Sequence, residues 1–76
     1  MINWKVRPGD NVVGKAVKLS DTDIKRKIPK TVIGYSYKFG YPEVLWKDNN
    51  GMDGSSFEKK LKKVGRRWLK TLEEQS

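Results

Sequence analysis

The sequence contains neither cysteine nor histidine. Without cysteine the chain can form no disulfide bond and no thiolate metal site. Without histidine it lacks the commonest general base and the commonest metal ligand. Acidic residues occur in polar, loop-like stretches, but no paired-carboxylate motif accompanies them, and the stretch after Asp48 lacks the terminal Glu that a calcium loop requires. We therefore expect a protein that is not an enzyme and that uses no cofactor or metal.

Long apolar runs are also missing. No stretch approaches the roughly 20 apolar residues that a membrane-spanning helix needs, and the first residues lack the apolar core of a signal peptide. We expect no membrane contact and a cytoplasmic location, with association with the nucleoid if the partner is DNA. A chain of 76 residues predicts a single domain, residues 1–76, with a small core.

Positive charge is abundant. The chain has 17 Lys and Arg against nine Asp and Glu, which gives a formal net charge of +8 and a pI near 9.9. This balance predicts an acidic partner: nucleic acid, an anionic surface or an acidic protein. The alternative is a solvated surface that keeps a small protein soluble, but solubility alone does not require so one-sided a charge.

The largest apolar and aromatic mass lies in residues 31–48, which predict a β-hairpin. Residues 31–37 are rich in β-branched and aromatic residues and favour a strand, and residues 41–47 form the return strand. Lys38, Phe39 and Gly40 are the predicted turn, because Gly40 can adopt the positive φ that short hairpin loops need.

The segments before and after this hairpin are polar and punctuated by turn formers. Residues 20–30 are expected to form a loop with one helical turn capped by Ser20 or Asp21. The other expectations are a short strand over 1–6, a turn over 7–10, a strand over 11–19 with a bulge or bend at Gly14, and a loop over 48–56.

Two structures are compatible with the C-terminal segment. Apolar residues at helical spacing, with Ser55 and Glu58 as a capping box, would form one helix from Phe57 to Leu72. Alternatively, residues 57–61 form one helical turn, 62–64 a closing strand and 66–74 a separate helix. We favour the second, because a small barrel needs a last strand to cover its open edge.

Several short motifs resemble small SH3-like barrels of the KOW and Tudor type. The motifs are Arg7-Pro8-Gly9-Asp10 followed by Val12 and Val13, then Thr31-Val32-Ile33-Gly34, Glu43-Val44-Leu45-Trp46-Lys47-Asp48, and the segment 57–64. The resemblance implies a mainly β fold: an antiparallel barrel of about five strands over residues 2–64 with a C-terminal helix. The sequence departs from the KOW pattern at Lys30, because KOW motifs usually have Gly at this position before the second strand. Similar barrels occur in nucleic-acid binders, in ribosomal and transcription factors and in small phage proteins.

Two clusters of basic residues are the candidate nucleic-acid-binding sites, because Lys and Arg at this density neutralise phosphates and release counterions. The first cluster contains Lys59, Lys60, Lys62, Lys63, Arg66 and Arg67, followed by Lys70. The second contains Lys25, Arg26 and Lys27, followed by Lys30.

Aromatic residues could add a stacking surface for bases, or they could fill the core. The four that alternate through the hairpin are Tyr35, Tyr37, Phe39 and Tyr41. We assign an exposed contact to Phe39 alone, because it lies at the turn tip. The tryptophans Trp4, Trp46 and Trp68 are assigned to the core.

These features predict a non-enzymatic protein whose basic surface binds DNA or RNA, mostly through phosphates and with weak sequence specificity. The alternative is a protein-interaction module, for example a phage-type regulator that binds an acidic surface of a host protein.

Overall fold

The computed structural model describes residues 4–75, and in this range the chain forms one antiparallel sheet with a C-terminal helix. The sheet has five strands in the order β4-β3-β2-β1-β5. The strands are β1 Asn11–Gly14, β2 Lys30–Lys38, β3 Tyr41–Lys47, β4 Asp53–Phe57 and β5 Leu61–Val64. The helices are α1 Ile24–Lys27, α2 Arg66–Gln75 and a 3₁₀ turn, Glu58–Lys60. The predicted fold class is confirmed. No helix in residues 4–75 has the length and apolar character to cross a membrane.

The predicted hairpin is present as β2 and β3. Its turn consists of two residues, Phe39 and Gly40, with φ values of 54° and 79°. Two successive positive φ values fit the type I′ turn, whose twist matches that of the flanking strands. Lys38 pairs with Tyr41 inside the ladder, so the strands extend closer to the tip than the sequence predicts.

The 3₁₀ turn forces the sheet to curl. It joins β4 to β5, which are the two outermost strands in the sheet order. In a flat five-stranded sheet these edges would lie about 19 Å apart, whereas three residues at 3₁₀ rise span about 6 Å. The sheet must therefore roll until its edges approach. The second of the two structures predicted for the C-terminal segment, with a helical turn, a closing strand and a separate helix, is therefore confirmed.

Two hydrophobic clusters lie on opposite faces of this rolled sheet. Val6, Val12, Val32 and Val44 form the first, with Trp4, Tyr35 and Leu61 packed against it. Val13, Val17, Val64 and Trp68 form the second, with Leu19 and Leu72 at its border. Each fully buried Val or Leu contributes roughly 1.5–3 kcal/mol. Val13 of β1 and Val17, which follows the strand, meet in the second cluster.

Helix α2 contributes its apolar stripe to the second cluster through Trp68, which is 9% exposed. The indole Nε1–H of Trp68 donates a hydrogen bond to the Lys27 carbonyl oxygen at 2.8 Å. This bond ties α2 to the end of α1. Trp68 is buried, as its assignment to the core predicts, and Leu72 packs against the same cluster.

The N-terminal half departs from the sequence prediction in three places. Residues 4–6 are not a strand, while 1–3 lie outside the described residues. Trp4 stacks on Tyr35 instead, with ring centroids 4.2 Å apart, and the Val6 carbonyl accepts a hydrogen bond from the Tyr35 hydroxyl. Strand β1 ends at Gly14, because a turn follows it. The carboxylate that caps α1 belongs to Asp23, not to Ser20 or Asp21.

The predicted loop over residues 48–56 contains strand β4. Only its first part is a turn, in which the Asp48 carboxylate accepts hydrogen bonds from the Asn50 and Met52 backbone N–H groups. The turn-forming residues of β4 pair with β3 from Asp53 to Phe57. Pairing with a neighbouring strand thus overrides a local preference for loop structure.

Trp46 is half-buried and lies outside both clusters, so its assignment to the core is wrong. Its ring covers Gly54, where a Cβ atom would lie 2.3 Å from the indole. The indole Nε1–H donates to the Ser56 hydroxyl at 3.1 Å. The Trp46 ring therefore covers part of the edge strand β4 beside β3.

Replacing Trp68 should destabilise the protein strongly. We expect Trp68→Ala to lower the free energy of unfolding by about 3–5 kcal/mol, because it removes a buried indole. Urea unfolding followed by circular dichroism measures the change. Met52→Ala is the matched control, since Met52 is 66% exposed and should change stability by less than about 0.5 kcal/mol. Equal stability of the two variants would contradict the packing described for α2.

Gly54 should not tolerate a side chain. Gly54→Ala is expected to displace the Trp46 ring and to cost about 1–3 kcal/mol, the usual effect of overpacking. Gly65→Ala is the control, because a Cβ at Gly65 meets nothing within 4 Å. Thermal unfolding gives the stability of both variants, and tryptophan fluorescence reports the exposure of the indole. A neutral Gly54→Ala would show that Trp46 does not lie against this glycine.

Candidate nucleic-acid interface

Three separate segments of the chain bring lysines together beside β5. They line a surface cleft of about 260 Å³, here called the lysine cleft. Its lining residues are Lys5, Lys15, Glu58, Lys59, Leu61, Lys62 and Lys63. The Lys15 backbone N–H donates to the Lys60 carbonyl at 2.8 Å, and the Lys5 N–H donates to the Glu58 carboxylate at 3.2 Å. These contacts hold the three segments side by side.

A second groove, of about 310 Å³, continues this surface towards α2. It shares Lys62 and Lys63 with the lysine cleft and adds Arg67 at the start of the helix. The rest of its lining is apolar or glycine: Leu19, Val64, Gly65 and Trp68. Four residues of the predicted first cluster, Lys59, Lys62, Lys63 and Arg67, thus line two adjoining grooves from the 3₁₀ turn to the first turn of α2, whereas Lys60 and Arg66 line neither.

The charges on α2 run against its helix dipole. Arg66 and Arg67 occupy the first turn, while Glu73 and Glu74 lie near the other end. A helix is stabilised by acidic residues near its N-terminus and basic residues near its C-terminus, each typically by 0.3–1 kcal/mol. The two arginines therefore do not serve helix stability; they add to the positive potential that the helix N-terminus already presents.

One lysine of the cleft faces a carboxylate. The Lys63 Nζ lies 3.6 Å from the Asp10 carboxylate, and the Lys63 side chain is 60% exposed. The Asp10 side chain is 20% exposed, and an ion pair at this distance with a solvated lysine contributes on the order of 1 kcal/mol or less. A phosphate group can therefore replace Asp10 as the partner of Lys63 at little cost.

Lys62 differs from the other cations of the first cluster, because its ammonium is partly engaged by the protein. It donates a hydrogen bond to the Val17 carbonyl and lies 5.2 Å from the centroid of the Trp68 ring. Its side chain therefore supports the second hydrophobic cluster. Lys62 is therefore half-buried, whereas the other cations of the first cluster are exposed.

The second predicted cluster does not act as a unit. Lys25 and Arg26 are exposed on α1, but Lys27 is 2% exposed and donates to the Leu19 carbonyl at 2.9 Å. The structure removes Lys27 from the candidate contacts. Lys27 lies in a polar stretch of the sequence, where a solvent-exposed side chain is expected. Its side chain is buried because α1 packs against the loop that precedes it.

Lys25 lines a cleft other than the lysine cleft. That cleft contains Lys30 but also Asp48, Asn49 and Asn50 from the β3–β4 turn. The Lys30 ammonium lies 4.2 Å from the centroid of the Trp46 ring. The second cluster therefore lies on a surface of mixed charge and is separate from the lysine cleft.

Exposed aromatic rings lie next to the first cluster. Phe39 is 83% exposed and Tyr41 is 53% exposed. The Lys59 ammonium lies 4.5 Å from the centroid of the Tyr41 ring, and Tyr41 meets Phe57 edge to face at 6.1 Å. We call Phe39, Tyr41 and Phe57 the aromatic patch. The predicted exposure of Phe39 is confirmed.

Two aromatic residues of the hairpin lie outside the aromatic patch. Tyr35 is half-buried against Trp4, as the core interpretation predicts. Tyr37 is exposed but pairs with Pro42, on the hairpin face opposite to that of the Lys38–Tyr41 pair. Tyr41, which meets Lys59 of the lysine cleft, therefore connects the aromatic patch with that cleft.

Sequence reasoning missed two residues of the site, Lys5 and Lys15. Each is an isolated lysine in the sequence, far from the cluster in β5, and only the folded chain brings them to the same cleft.

No family model, curated protein or solved structure matches this chain.

The structural role of Lys62 can be measured. We expect Lys62→Ala to lower stability by about 1 kcal/mol, because it removes a hydrogen bond and the contact with Trp68. Lys70→Ala, which removes an exposed lysine of α2, should change stability by less than about 0.5 kcal/mol. Urea unfolding of both variants gives the comparison, and equal effects would show that Lys62 is a solvated cation like its neighbours.

Proposed function

We propose that the chain is a non-enzymatic binding domain that engages nucleic acid mostly through phosphate groups. The observation that carries the proposal is the convergence of Lys5, Lys15, Lys59, Lys62 and Lys63 on one cleft. These lysines come from three parts of the chain, since Lys5 and Lys15 are distant in sequence from the segment 59–63. A cleft that concentrates positive charge raises the local concentration of a polyanion and speeds its association.

The chemistry of the surface suits phosphates. Lysine supplies a point charge, and Arg66 and Arg67 supply planar donors that bind phosphate in a bidentate manner. The N-terminus of α2 favours an anion at the same place. Contacts of this kind position a nucleic acid without reading bases, so we expect weak sequence discrimination.

The shape of the domain fits the same proposal. A rolled five-stranded sheet with a 3₁₀ turn before its last strand is consistent with the SH3-like barrel that the sequence motifs resemble. Fold alone does not decide function. The proposed function therefore depends on the basic surface and not on the architecture.

A second candidate function is a module that binds an acidic protein surface, such as a phage-type regulator of a host protein. The exposed Phe39 and Tyr41 favour it, because aromatic residues are enriched in protein interfaces. Retention on DNA or heparin resin, compared with capture of proteins from nuclease-treated lysate, separates the two functions.

Charge reversal on the exposed part of the basic surface should abolish binding. In the variant Lys59→Glu, Lys63→Glu, Arg67→Glu, we expect no measurable affinity for duplex or single-stranded DNA at moderate salt, with the fold intact. Lys62 is left unchanged because of its structural contacts. The control variant, Lys18→Glu, Lys25→Glu, Arg26→Glu, has the same net charge and should bind with a smaller loss.

A salt titration of affinity makes this test quantitative. For the unmodified protein, the logarithm of affinity for duplex DNA should fall by about 0.9 per log unit of salt for each phosphate contacted. If both variants lose affinity equally, net charge and not the lysine cleft governs binding. If the unmodified protein binds no nucleic acid at low salt, the proposal is wrong and the protein-partner function takes its place.

A further inference from the structure

Phe39 occupies an unfavourable backbone position for an aromatic residue. Its φ is 54°, in the left-handed region that bulky side chains rarely adopt and that Asn or Gly usually fills in such turns. Its side chain is 83% exposed and belongs to neither hydrophobic cluster. Neither backbone preference nor core packing therefore accounts for phenylalanine here. Strain of this kind is typical of residues that contact a ligand.

The neighbours of Phe39 alternate between rings and cations. The Lys38 ammonium lies 5.8 Å from the centroid of the Phe39 ring. Lys38 is paired with Tyr41 across the hairpin, and the Lys59 ammonium lies 4.5 Å from the Tyr41 ring. Stacking rings interleaved with cations are the combination by which proteins bind single strands.

Lys59 connects this patch with the proposed phosphate surface. Its ammonium approaches both Tyr41 and Phe57, the latter at 6.0 Å, and its side chain also lines the lysine cleft. A strand whose phosphates follow the cleft can therefore pass from Lys59 onto the ring of Tyr41.

We propose that the nucleic acid bound here is single-stranded, with bases stacked on Phe39 and Tyr41 and phosphates held by Lys59 and the lysine cleft. This inference rests on the proposed function and specifies its ligand. Bases in a duplex are stacked on one another, so their faces are closed to protein rings. A duplex would use the cations alone, whereas a single strand uses the cations and the rings. Every base has a π face, so stacking adds affinity without sequence preference.

The test compares labelled single strands of DNA and RNA, each of about 12 nucleotides, with a duplex of the same length by fluorescence anisotropy. Phe39→Ala should weaken single-strand binding by about 5- to 150-fold, the range for loss of one stacked base. Its effect on the duplex should be less than twofold. The salt dependence should not change, because no cation is removed.

A second variant separates stacking from folding. Phe39→Asn places a favoured residue in the type I′ turn, so it should raise the melting temperature while losing single-strand affinity like Phe39→Ala. Met52→Ala is the control for removal of an exposed apolar side chain, 66% exposed in the β3–β4 turn, and should not affect binding.

The outcomes distinguish this inference from the function on which it rests. Unchanged single-strand affinity in both Phe39 variants overturns the inference but leaves phosphate binding intact. Equal losses for single strands and duplex also overturn it, because the ring would then not discriminate between them. Absence of all nucleic-acid binding by the unmodified protein overturns both proposals. We expect single strands of DNA and of RNA to bind with equal affinity, because neither base stacking nor the cations contact the sugar specifically.

Discussion

Val12 and Val13 are neighbours in the chain, yet each is buried in a different hydrophobic cluster. Strand β1 is therefore covered on both faces: inside the rolled sheet by the first cluster, and outside it by α2 and the second cluster. It also pairs with β2 on one side and β5 on the other. A four-residue strand thus joins the sheet, its closing strand and the helix. The positions of β5 and α2, and hence of the basic surface, depend on it.

The cations of the candidate site lie on elements that are held in place by other residues. In β5, Leu61 packs on the first cluster and Val64 belongs to the second, while Lys62 and Lys63 stand between them. In α2, Trp68 supplies the buried contact and the two arginines face solvent. Since the fold does not need these exposed cations, and since crowding them costs self-repulsion, a polyanionic partner explains their convergence better than stability does. Lys62 is the exception, because it has a structural contact as well.

The hairpin tip likewise presents a side chain that the fold does not need, since Phe39 belongs to neither hydrophobic cluster. The ladder between β2 and β3 extends to the Lys38–Tyr41 pair, so the two-residue turn holds Phe39 on a rigid support. A ring presented by a rigid turn loses little conformational freedom on binding. Because the 3₁₀ turn brings Lys59 to Tyr41, closure of the sheet also joins the aromatic patch to the lysine cleft.

The sequence by itself determined the elements with strong local signals. These are the mainly β class, the 31–47 hairpin, the turn at residues 7–10, a C-terminal helix and the exposed position of Phe39. Alternation, glycine placement and helical spacing act between near neighbours, so they can be read along the chain. Tertiary structure alone decided that the turn-forming residues of β4 pair as a strand, that Lys27 is buried, that Trp46 covers Gly54 and that Lys5 and Lys15 join the lysine cleft. Each of these depends on contacts with another part of the fold, and the local sequence pattern carries no signal for them.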